Sequence, residues 1–158
     1  MMSDVVVVDA SLALKWVLAE PDSNTAVMLL NSWTNEGIDV IAPALFTYEV
    51  TNTLYRQVVK GKLNYDEAKQ GLIDLFSSGI SLQFTLYKDI SKNAMEFAHH
   101  FNLPATYDAH YLALAQHKNC DYWTADTRLW NAVKGKLTWV YWFNDYHPQL
   151  IGTDPGLR

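Results

Sequence analysis

The chain contains one cysteine, Cys120, so it can form no internal disulfide and holds no CxxC pair. That scarcity fits a reducing cytoplasmic setting, with Cys120 serving as a small buried hydrophobe. Long apolar runs are missing too. None approaches the roughly 20 residues that span a bilayer. The opening MMSD lacks a basic n-region, and the valines after it are too few for a signal peptide. Phosphate-cradling patterns are absent: there is no GxGxxG and no GxxxxGK. GxSxG is also absent, which removes support for a serine hydrolase. The five histidines, His99, His100, His110, His117 and His147, form no HExxH. Positive charge is scarce, with 12 Lys and Arg against 17 Asp and Glu, a net charge of −5. Sequence-blind nucleic-acid binders are usually basic. A nucleic-acid substrate would therefore require a local basic patch, a bound cation or a partner chain.

The residues that are present describe one soluble domain. The 158 residues are 49% hydrophobic, enough for a single core. Short apolar strands alternate with helical patterns throughout. Strands are expected over Val5 to Asp9, Asp39 to Ala42, Ile80 to Leu86, Tyr122 to Thr124 and Thr138 to Phe143. Helices are expected over Ser11 to Ala19, Ser23 to Glu36, Ala44 to Lys60, Asn64 to Ser78, Ile90 to Phe101, Thr106 to His117 and Thr127 to Val133. This alternation predicts an α/β fold with a central parallel sheet covered on both faces. Residues 1–146 form the expected domain, and 147–158 an irregular tail. Six Trp and nine Tyr are many for this length. Core and interface packing is the default reading, with base stacking as the alternative.

The sequence VVVVDASLALKW raises the functional question, because a strand-like run ends on Asp9. Open parallel sheets bind ligands beyond the carboxyl ends of their strands. Asp126, in WTAD, falls at the same edge. Asp108, in TYDAH, lies in the first turn of its helix, and Glu49 lies among apolar neighbours in YEVTNTLYR. Taken singly, Asp9 and Asp126 read most simply as helix caps, and Asp108 as a first-turn acid. A buried Glu49 has no such easy account. Gathered together, four acids would repel one another unless a cation sat among them. Magnesium and manganese prefer oxygen ligands. Asn52 and Arg56 follow Glu49 on one helix face, a stripe that reads either as a phosphate-binding set or as a solvated surface. Lys15 and Ser11 are expected to overlook Asp9, and Ser11 and Thr124 are short hydroxyls suited to orienting a carboxylate or acting as caps.

The ordered set VVDASLALKW, YEVTNTLYR, TYDAHYLALA and WTADTRL resembles the PIN-domain ribonucleases, and among them the VapC-like toxins of toxin–antitoxin pairs. The resemblance runs from about Val5 to Val140. It implies a three-layer α/β/α sandwich and a magnesium- or manganese-dependent endoribonuclease. It also implies a homodimer, and an antitoxin whose tail enters the active-site groove. The acidic quartet would fall on Asp9, Glu49, Asp108 and Asp126, with supporting hydroxyls on Ser11 and Thr124. Lys15, Asn52 and Arg56 would form the substrate-binding set. A haloacid-dehalogenase-type phosphohydrolase would need a second Asp where Ser11 stands, and the acidic pair of a receiver domain is not visible. The remaining alternative is a PIN-like module that binds RNA or a protein without cutting.

Overall fold

A computed structural model describes residues 3–84 and 87–148 of the chain. The end of the expected strand at 85–86 and most of the expected tail at 147–158 lie outside the described residues. Five parallel strands form one sheet: β1 (Val5–Val8), β2 (Asp39–Pro43), β3 (Ser81–Gln83), β4 (Asp121–Thr124) and β5 (Val140–Trp142). Seven helices accompany them among the described residues: α1 (Ala10–Ala13), α2 (Ser23–Glu36), α3 (Leu45–Val59), α4 (Tyr65–Phe76), α5 (Tyr87–His100), α6 (Tyr107–Lys118) and α7 (Thr127–Val133). The result is a three-layer α/β/α architecture around one parallel sheet.

Strand order is β3-β2-β1-β4-β5. β1 lies at the centre because its four valines can be buried from both faces at once. It pairs with β2 through Val6 and Val40, and with β4 through Val7 and Tyr122. The chain builds outward from β1 to β3, then returns to the other side of β1 to lay down β4 and β5. That reversal leaves a crevice beyond the carboxyl ends of β1 and β4. Helix α6 lies against β1, β2 and β4. It is buried almost all round, through Ala109, Tyr111, Leu112, Ala113, Leu114 and Ala115.

Local differences from expectation have physical causes. The first helix stops at Ala13 and tightens into a 3-10 turn over Leu14–Trp16, which brings the Trp16 indole N–H to the Ala26 carbonyl at 3.0 Å. β3 is shorter than the alternation of Ile80 to Leu86 suggests. Among the described residues its one strand neighbour, β2, ends at Pro43 opposite Gln83, and proline has no N–H with which to extend a ladder. Of Trp16, Trp33 and Tyr55, three helical aromatics too many for one small core, Trp33 is buried against Trp123 with ring centroids 6.1 Å apart. Trp16 also packs on the core, whereas Tyr55 is 59% exposed. Cys120 is buried, as expected, and burial pushes its thiol up to about 11.

Candidate active site

Asp9 ends β1 and caps α1, accepting the Leu12 N–H at 3.0 Å on Oδ1. The capping reading therefore holds, but it accounts for only part of the carboxylate. Ser11 Oγ donates to the same oxygen at 2.5 Å. On Oδ2, the Tyr122 hydroxyl donates at 2.8 Å, and Thr124 Oγ1 donates through a short bond. Four donors thus surround a side chain that is only 3% exposed. They offset much of the cost of burying a charge. Burial still raises the Asp9 carboxyl above its ordinary range, against the opposing pull of Ser11, Thr124, Tyr122 and Leu12.

Asp126 caps α7 by accepting the Leu129 N–H at 2.9 Å. The turn before it is tied to the first strand's end, because Ala125 N–H donates to Ser11 Oγ at 3.2 Å. Asp126 N–H donates to Thr124 Oγ1 at 3.0 Å. Glu49, half-buried on α3, accepts the Tyr111 hydroxyl at 2.6 Å. Asp108 occupies the first turn of α6.

The electrostatics show that these acids share one field. Asp108 is pushed up to about 7, first by desolvation, then by the charges of Asp126, Asp9 and Glu49, with a small opposing effect from Arg128. Glu49 is raised by burial and by Asp9 and Asp126, while the Tyr111 hydrogen bond lowers it. Among the described residues, no ion pair reaches any of the four.

Sequence reading missed two residues here, Tyr111 and Tyr122. Their rings stack, with centroids 5.9 Å apart, and each hydroxyl holds one acid. Burial and the adjacent carboxylates push both phenols well above 10, so they remain donors. The four-motif pattern contains Tyr111, but nothing in sequence distinguishes a core tyrosine from one that orients a carboxylate. Sequence reading also passed over Arg128, two residues after Asp126 in WTADTR.

The expected substrate set divides. Lys15 does not overlook Asp9. Its Nζ lies 2.6 Å from Glu20 and 2.9 Å from Asp22, and 5.3 Å from the centre of the Phe143 ring. The tight turn carrying it aims it at these local carboxylates. Asn52 and Arg56 are exposed on α3. Asn52 lines an open groove with Tyr48 and Tyr55 on the helix that carries Glu49.

Chemically, the donor set is all oxygen and anionic, and among the described residues no ion pair neutralises it, which suits a hard divalent cation. Among the described residues, no three Asp, Glu, His or Cys side chains are drawn together tightly enough to cage an ion. Magnesium does not need such a cage, since it keeps several waters and takes one or two carboxylates.

A doubly wound sheet with an acid cluster at its switch point defines a class of ligand-binding α/β domains, and comparison narrows it. Residues 6–136 match the PIN domain family model, and the chain belongs to that family. PIN domains are generally nucleases, and typically use divalent metal ions. No curated protein matches the chain. Among solved structures it resembles PAE2754 from Pyrobaculum aerophilum, at 18% identity and a TM-score of 0.65 over 90% of both chains. It also resembles VapC20 of Mycobacterium tuberculosis, a sarcin–ricin loop cleaving toxin. That match has 15% identity and a TM-score of 0.60, covering 80% of this chain and 94% of the other. No helix among the described residues is long and apolar enough to cross a membrane.

Proposed function

We propose that the protein is a magnesium- or manganese-dependent endoribonuclease acting as the toxin of a toxin–antitoxin pair in the cytoplasm. The observation that carries this reading is the acidic quartet, Asp9, Glu49, Asp108 and Asp126, in one field that Arg128 only partly offsets. These four residues would hold the ion. When bound, the cation supplies Lewis acidity toward the phosphate and lowers the pKa of water. The chain's own residues do the rest. Ser11, Tyr122 and Thr124 fix the Asp9 carboxylate, and Tyr111 fixes Glu49 by one oxygen. Asn52 and Arg56 face solvent beside Glu49 and would grip the flanking phosphate. Lys15 is assigned to local structure. Cleavage leaves a 5′-phosphate and a 3′-hydroxyl, because water attacks and no ribose 2′-oxygen takes part.

The test is cleavage of single-stranded RNA with magnesium, manganese and excess EDTA. EDTA should abolish cleavage. Asp9→Asn, Glu49→Gln and Asp108→Asn should each cost about 100-fold or more while circular dichroism stays unchanged, with Asp126→Asn the mildest. Cleavage undiminished by EDTA would reject the mechanism. RNA binding without cleavage under every metal condition would favour the silent-module alternative. The antitoxin should carry a basic, apolar-flanked segment that places an Arg among the carboxylates in place of the cation. Its affinity should fall for Asp9→Asn and Asp108→Asn, and equal affinity for all three proteins would reject that mode of inhibition.

A further inference from the structure

A second concavity lies on the same sheet edge as the acids. A cavity of about 240 Å³ opens at the carboxyl ends of β2 and β3, between the start of α3 and helices α5 and α6. Tyr48, Phe84 and Tyr87 line it, and they are 74%, 66% and 67% exposed. Among the described residues, none of these rings stacks on another ring. Three exposed aromatic residues around one cavity leave considerable apolar surface for a ligand to cover.

The polar groups in the cavity are mainly acceptors. His110 Nδ1 lies 2.7 Å from the Thr106 carbonyl. A carbonyl cannot donate, so Nδ1 carries the proton and Nε2 offers its lone pair. Ser91 Oγ, 3.4 Å from Nε2, donates its hydrogen there and keeps its own lone pairs free. Gln83 Nε2 donates to Ser81 Oγ at 3.5 Å, which leaves the amide oxygen available. Aromatic faces and neutral acceptors among the lining residues suit a flat heterocycle with amino hydrogens, and Lys88 Nζ lies 5.9 Å from the centre of the Tyr87 ring at the rim.

Position points to the same ligand. Tyr48 immediately precedes Glu49, and it lines both this cavity and the α3 groove that holds Asn52. β2 alone separates β3 from β1, roughly 10 Å at the usual strand spacing, a gap one nucleotide bridges. We propose that the cavity seats the base next to the scissile phosphate. Tyr48, Phe84 and Tyr87 hold its faces, while Ser91 and Gln83 read its edge. The site thereby prefers adenine or cytosine, which carry an exocyclic amino group, over uracil, which presents a carbonyl there. The assignment rests on the ribonuclease reading for the phosphate's position, but base selection can be measured without cleavage.

The probes are fluorescein-labelled octaribonucleotides of A, C and U, bound to the full chain in calcium and followed by anisotropy. Wild type should prefer A or C over U by about tenfold. Ser91→Ala and Gln83→Ala should each erase most of that preference with little change for U. Tyr48→Ala should weaken all three probes. Equal binding of the three probes by wild type would overturn the proposal, as would an undiminished preference in both edge variants. So would Phe84→Ala and Tyr87→Ala proteins that become monomers by sedimentation with selectivity intact, since a second copy would then own the cavity. Base preference without cleavage in magnesium would support the subsite and reject the nuclease reading. Cleavage without base preference would do the reverse.

Discussion

At Asp9, one carboxylate is both a helix cap and a member of an acid cluster, and its four donors divide between those roles. Tyr122→Phe removes one donor while keeping the buried ring and its stack on Tyr111. The variant should lose about 1–2 kcal/mol in urea unfolding, since Thr124 still serves the same oxygen. Asp108 gives a prediction with a definite sign. Its native pKa of about 7 lies above the roughly 3.9 of an unfolded Asp. Between those values the native state holds more protons than the unfolded one, so stability falls as pH rises through the window and levels off above it. In EDTA, the melting temperature should drop between pH 5 and pH 8. The Asp108 share should be about 2 kcal/mol once solvent screening is discounted. Asp108→Asn should flatten the profile, and magnesium should restore the high-pH stability of wild type. A flat wild-type profile in EDTA would contradict the coupling.

At the scale of elements, boundaries were most legible where a side chain terminates a helix. Gly37 ends α2 in the left-handed conformation at φ 69°, which a residue without Cβ adopts cheaply. Asn64 and Glu67 form a reciprocal capping box at the start of α4, with both bonds 2.8 Å long. Asn64→Ala should cost about 1 kcal/mol in chemical denaturation. An unchanged midpoint would mean that α4 is held by packing on α3 alone. Boundaries set by distant partners were less legible. The end of β3 depends on Pro43 in the neighbouring strand, and the tightening after Ala13 accompanies a bond from Trp16 to Ala26. Spacing along the chain contains neither fact. The same gap sent Lys15 to the wrong partner, because a helix continued through Ala19 would have kept it on the Ser11 face.

For the whole molecule, exposed apolar side chains bear on assembly. Tyr55 and Val59 on α3, with Tyr65, Ile73 and Phe76 on α4, remain in solvent on two helices that pack together. We expect a homodimer, with a scattering mass near twice the 18.0 kDa chain. A monomer at micromolar concentration would reject it. With a net charge of −5, RNA affinity of the proposed nuclease would depend on a cation or on the local group of Asn52 and Arg56, not on the overall field. The sequence by itself determined the alternation of strands and helices and the parallel sheet, and it singled out four acids as a candidate set, three at strand or helix ends and Glu49 within a helix. Those features follow from local periodicity and from residue types that are costly to bury alone. Only the tertiary structure decided that two stacked tyrosines hold Glu49 and Asp9, that Trp33 is core, that Lys15 is committed elsewhere, and that an aromatic cavity adjoins the acids. Each of these depends on contacts between segments far apart in the chain, such as Glu49 with Tyr111 and Asp9 with Tyr122. Their partners are chosen by the order in which strands lie across the sheet, which no local pattern encodes.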